Sequence, residues 1–130
     1  MNKNESYIVN DTFAKNLGVT LVSAENGSSR CELTMGDEHK NGLGSLHGAV
    51  IFALADVAFA AACNSVQASI GMQADIRYLN RPLGTILIAE AHEISGSNKI
   101  AHYQVNVSDD KGSNIAQFTG MAYRFPKTES

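Results

Sequence analysis

The chain has 130 residues, thirteen acidic and ten basic side chains, a net charge of −3 and a 44% hydrophobic content. That length suits one compact domain, and the apolar content is too high for a disordered chain. The negative balance argues against a dedicated nucleic-acid binder, which usually carries a basic stripe.

In chain order, residues 8–17 have helical spacing that stops at Gly18, which predicts a short leading helix. The first twenty residues, with Glu5, Asp11 and Lys15 interspersed, lack the apolar core of a signal peptide. Val19–Glu25, Asn26-Gly27 and residues 28–35 read as a hairpin, because Asn-Gly tolerates the positive φ angles of a type I′ turn. Residues 36–46 are Gly- and Asn-rich, hence loop. The run HGAVIFALADVAFAAACNS from His47 to Ser65 is alanine-dominated and predicts a long helix. Four strands then follow at 69–79, 85–95, 99–108 and 113–125, the last three joined by Gly/Asn/Asp turn chemistry. Strands that are not interleaved with helices predict an α+β protein with an antiparallel sheet of about six strands. The strand Ile70, Met72, Ala74, Ile76 and Tyr78 is expected to face the core by alternation.

Cys31 and Cys63 are too few for a disulfide framework and read as reduced, buried thiols. His39, His92 and His102 fit no zinc spacing, so no metal is expected. The apolar run of the long helix is short for a bilayer and carries Asp56 in its middle, which points to a soluble, cytoplasmic protein.

Asp56 is the only charged side chain between Asn41 and Ala74. One helix face holds Val50, Ile51, Leu54, Val57, Ala58 and Ala61, and the opposite one Phe52, Asp56, Phe59 and Cys63. A helix apolar on both sides is expected to be covered on both, one side by the sheet and the other by a second subunit. A carboxylate in such surroundings has its pKa raised, which suits a general base or nucleophile near neutrality. Just upstream, NGLGSLHG (residues 41–48) brings a glycine to the helix start, where free N–H groups suit a developing oxyanion. Nine residues from His47 to Asp56 give about 13.5 Å of rise and half a turn, too far for one helix to serve one bond from both ends. Two helices packed antiparallel would bring the two features together, in a site shared across a two-fold dimer.

The combination Asn41, Gly44, His47, Gly48 and Asp56, with IRYLNRPLG at 76–84 and AQFTGMAYRF at 116–125, resembles the PaaI-like group of hotdog-fold acyl-CoA thioesterases, linked to phenylacetate degradation. The resemblance implies one hotdog domain over residues 1–130, a long helix wrapped by a curved antiparallel sheet. It implies homodimers assembling to homotetramers, and hydrolysis of an acyl-CoA, with an aryl-acetyl or medium-chain group, without metal or bound cofactor. Asp56 would be base or nucleophile, the Gly48 N–H the oxyanion donor, His47 a positioning group, and Asn41 would orient water or carbonyl. Asn80, Arg81, Ser97, Asn98 and Lys99 would hold the CoA. Phe52 and Phe59, beside Asp56 on the helix, read either as lining of the acyl pocket or as dimer packing. Two departures stand out. Ala49 replaces the group's second glycine, and the Ser or Thr that faces the Asp has no evident counterpart among Gly71, Ser69 and Gln73. The rival readings are a non-catalytic acyl-CoA-binding module and a hotdog dehydratase or hydratase.

Overall fold

The computed structural model describes residues 10–127. The first helix, α1, spans Thr12–Leu17, shorter than the predicted 8–17, of which residues 8 and 9 lie outside the described residues, as does Glu5. Asp11 sets its start by accepting a hydrogen bond from the Ala14 N–H at 2.9 Å, and Gly18, at φ 98°, ends it. Strands β1 (Val19–Glu25) and β2 (Ser28–Thr34) form the expected hairpin. Asn26 and Gly27 sit at φ 52° and 83°, the pair of positive values a type I′ turn demands. The stretch read as plain loop holds a single 3-10 turn, Asp37–His39, and a Lys40–Leu46 bridge.

Helix α2 spans Gly48–Asn64 with His47 and Ser65 as its caps. Strands β3 (Ser69–Tyr78), β4 (Ile86–Gly96), β5 (Ile100–Asp109) and β6 (Asn114–Arg124) complete one antiparallel sheet in the order β1-β2-β4-β5-β6-β3. All six strands curve onto α2, the hotdog arrangement, and leave β1 and β3 as edges.

That curvature narrows the helix face expected to await a partner. Phe59 and Cys63 are only 2% and 1% exposed within the single chain. The Phe59 ring lies 5.6 Å from Tyr103 and 5.7 Å from Phe118. It fits because Gly71 and Gly120 leave the space that a Cβ at either position would take. What α2 leaves uncovered is a narrow stripe of Ala49, Phe52, Ala53, Asp56 and Ala60. Asp56 is thus exposed on the single copy, flanked by alanines, rather than enclosed among phenylalanines.

A second correction concerns β3. A bulge between Gly71 and Gln73 shifts its register against β6, so that Gly71, Ala74, Ile76 and Tyr78 oppose the inward-facing Ala122, Gly120, Phe118 and Ala116. Ile70 therefore falls on the other face, and Ile70 and Met72 are 56% and 54% exposed. Alternation read straight through the bulge put both on the core side. As expected, the two thiols are free and buried, and burial pushes Cys31 up to about 12 and Cys63 up to about 11.

Candidate active site

The first turn of an α-helix has four N–H groups without intrahelical acceptors. In α2 the His47 N–H donates to the His39 carbonyl, and His47 accepts from two of the others, Ala49 and Val50, besides the first regular helical bond from Ile51. Its Nδ1 accepts from the Ala49 N–H at 3.0 Å, and its carbonyl accepts from Val50 and Ile51 at 3.0 and 3.5 Å. The Gly48 N–H is left without an acceptor among the described residues, with the positive end of the helix dipole behind it. An Nδ1 that accepts puts the ring proton on Nε2.

Upstream, the 41–45 turn is built around Asn41. Its Oδ1 accepts from Leu43 and Ser45 N–H groups at 2.9 and 3.1 Å, and Gly44 adopts φ 80° to close the turn. Those bonds fix the amide orientation and leave Nδ2 unpaired among the described residues. The turn is held in place by His39, 2% exposed, whose Nε2 bonds the Leu17 carbonyl at 2.8 Å and whose own carbonyl accepts from His47 N–H.

Asn41 and Gly48 open onto a cleft of about 650 Å³, which Asn80 and Arg81 also line. Two further residues of the cleft were not singled out by the sequence. Lys40, paired with Asp37 at 3.0 Å, adds a second cation, and Tyr78 donates its hydroxyl to the Gly48 carbonyl at 3.3 Å. Lys40 lies in no recognisable motif, and Tyr78, although part of the IRYLNRPLG stretch, reads there as a strand residue facing the core. The lining contains no carboxylate, so on a chain of net charge −3 the cleft is selectively cationic. Arg81 has no partner among the described residues. Asn80 uses its Nδ2 on the Asn114 carbonyl at 2.8 Å and keeps its oxygen free.

The remaining candidates lie elsewhere. Asp56 is eight residues along α2 from Gly48, about 12 Å of rise. Desolvation raises its pKa above the ordinary aspartate value, and the Asp11 carboxylate at the start of α1 raises it further. Phe59, a candidate for the acyl pocket, sits in the core of the single chain, and Phe52 is half-buried with its ring 5.6 Å from Phe118. Ser97, Asn98 and Lys99 form the β4–β5 turn, where the Ser97 carbonyl accepts from Arg124 Nη1 at 2.7 Å. Arg124 closes the far end of β6 from Ala116, which pairs with Tyr78, so ten residues of β3, about 30 Å, separate this turn from Asn80 and Arg81. His92 and His102 are exposed on β4 and β5.

A thioesterase-superfamily model matches residues 43–116, which include Gly48 and Asp56. The chain belongs to the thioesterase superfamily. It is 33% identical to the acyl-coenzyme A thioesterase PaaI of Escherichia coli over 122 residues, 92% of this chain and 86% of that one. It is 32% identical to human acyl-coenzyme A thioesterase 13, over 81% of this chain and 79% of that one. The structure of the E. coli PaaI protein superposes with a TM-score of 0.91 at 28% identity, covering 98% of this chain and 94% of that one. This is a PaaI-like thioesterase, a thioester-hydrolysing enzyme of the hotdog fold. Among its described residues no helix is long and apolar enough to cross a membrane.

Proposed function

We propose that this thioesterase hydrolyses acyl-CoA, at a site that takes Gly48 and Asn41 from one copy and Asp56 from a second. The carrying observation is the single unsatisfied N–H of the α2 first turn, at Gly48, opening onto a cationic cleft. That N–H receives the thioester oxygen as it becomes an oxyanion. The free Nδ2 of Asn41 orients the attacking water or the carbonyl. Asp56 takes the proton of that water, or adds to the carbonyl itself. In either route the C–S bond breaks, and the CoA sulfur leaves as thiolate and is protonated to the thiol; in the second route water then hydrolyses the acyl-Asp56 anhydride, releasing the free acid and restoring the carboxylate.

Arg81 and Lys40 bind phosphates of the CoA, and the free oxygen of Asn80 accepts from its amide or hydroxyl groups. Ser97, Asn98 and Lys99 reach the same CoA only from another copy, given the length of β3 between them. Phe52, the remaining aromatic candidate, borders the acyl group, with an aryl-acetyl or medium-chain group as the expected fit. The second copy covers the Ala49, Ala53, Asp56 and Ala60 stripe, whose small side chains allow close helix approach. It also pairs with the β3 edge, whose Ile70, Met72 and Tyr78 are more than half exposed. Two such dimers form the tetramer.

The test is thiol release from a panel of acyl-CoAs by wild type and Asp56→Asn. A general base contributes about 10²–10⁴-fold, so the variant is expected to lose at least about a hundredfold in kcat. Equal rates would remove Asp56 from the chemistry, and tight acyl-CoA binding without thiol release from wild type would replace hydrolysis with mere binding.

A further inference from the structure

Residues 79–85 leave β3 and form one wall of the cleft, carrying Asn80 and Arg81. Downstream of them, four consecutive backbone N–H groups donate to two adjacent carboxylates on the β5–β6 turn. Asp109 Oδ2 accepts from Leu83 and Gly84 at 2.7 and 2.9 Å, and Asp110 Oδ1 from Thr85 and Ile86 at 2.8 and 3.1 Å. The other oxygen of Asp109 accepts from Lys111 and Ser113 in its own turn, at 3.0 and 2.8 Å. Asp109 is 3% exposed and forms no ion pair among the described residues, so N–H dipoles balance its charge there. Gly84 completes the fit, because a Cβ there would overlap the Asp110 carboxylate.

An ordinary turn aspartate caps its own turn and no more. Asp109 does that with one oxygen and spends the other on a segment 25 residues upstream. We infer that Asp109 is a positioning residue for substrate binding: its second oxygen holds the 79–85 wall so that Asn80 and Arg81 meet the nucleotide end of a CoA thioester. This inference rests on the acyl-CoA reading above. Asparagine in its place keeps one acceptor oxygen and turns a donor NH₂ toward two N–H groups, so one arm of the staple is lost whichever way the amide points.

The experiment compares wild type and Asp109→Asn on an acyl-CoA and on the same acyl group as its N-acetylcysteamine thioester, which lacks the nucleotide. The expected result is a KM for acyl-CoA raised about tenfold, with kcat within about twofold and the short thioester unaffected. An unchanged KM in the variant overturns the inference, and so does an equal loss on both substrates, which marks general destabilisation. Where Asp109→Asn fails to fold, Gly84→Ala disturbs the same wall with Asp109 intact and is expected to give the same split. No split in Gly84→Ala overturns the inference. A wild type that hydrolyses neither thioester overturns the function itself, and the role of Asp109 with it. Where wild type hydrolyses both, the behaviour of the variant alone decides the role of Asp109.

Discussion

Two aspartates are displaced in opposite directions, and each displacement has a measurable consequence. Asp56 is raised above its usual 3.8 by desolvation and by the neighbouring Asp11 carboxylate. A base must be ionised to act, so the acid limb of the kcat/KM profile is expected above the ordinary aspartate range. Asp11→Asn keeps a good helix cap and removes the repulsion, so the limb should move down, whereas an unmoved limb would detach Asp11 from the site. For Asp109, desolvation pushes the carboxyl up, but four backbone N–H groups outweigh it and hold it down to about 2. A depressed carboxylate stabilises the fold above its unfolded pKa and loses that contribution as pH falls. The gap in melting temperature between wild type and Asp109→Asn should therefore be steady above 3.8 and close toward about 2. Asp56 and Gly48 became candidates from local patterns, a lone charge in an apolar helix and a glycine at its start, and Asn41 from the family resemblance. Asp109 was not legible in the sequence. Its cleft-wall partners, Leu83 and Gly84, lie 26 and 25 residues away, and its Asp-Asp-Lys-Gly setting reads as turn chemistry and nothing more.

At the scale of elements, α2 was predicted to within a residue at each end because its caps, His47 and Ser65, sit just outside an unbroken run of helix formers. The face it buries was misjudged, since hydrophobic periodicity cannot foresee how far a sheet will curl. The glycines explain the result. Gly71 and Gly120 thin the sheet opposite Phe59 and let the ring inside. A methyl at Gly120 would stand 2.8 to 2.9 Å from three ring carbons of Phe59. Gly120→Ala should therefore destabilise by about 1–3 kcal/mol in chemical denaturation, and Phe59→Leu in the same chain should recover part of that loss. A neutral Gly120→Ala would show that the ring has room to move. The β3 error has the same character: one bulged residue puts the stretch before it out of phase with the stretch after it, so Ile70 and Met72 were read onto the wrong face, and no composition rule marks where a bulge will fall.

For the whole molecule, one copy opens the free Gly48 N–H onto a cationic cleft but carries Asp56 two turns further along the same helix. Its CoA-binding candidates are split between opposite ends of β3 and β6. The proposed dimer would resolve both separations, with the uncovered alanine stripe and the exposed β3 edge as the surfaces on which its copies would meet. The most direct measurement is complementation between two disabled chains, Asn41→Ala and Asp56→Asn, co-expressed in equal amounts. If Asn41 and Asp56 of one site come from different copies, each mixed dimer contains one intact site and one site bearing both lesions. Half of the dimers are then mixed, and activity should return to about a quarter of the wild-type value. Activity no higher than that of either variant alone would contradict the shared site.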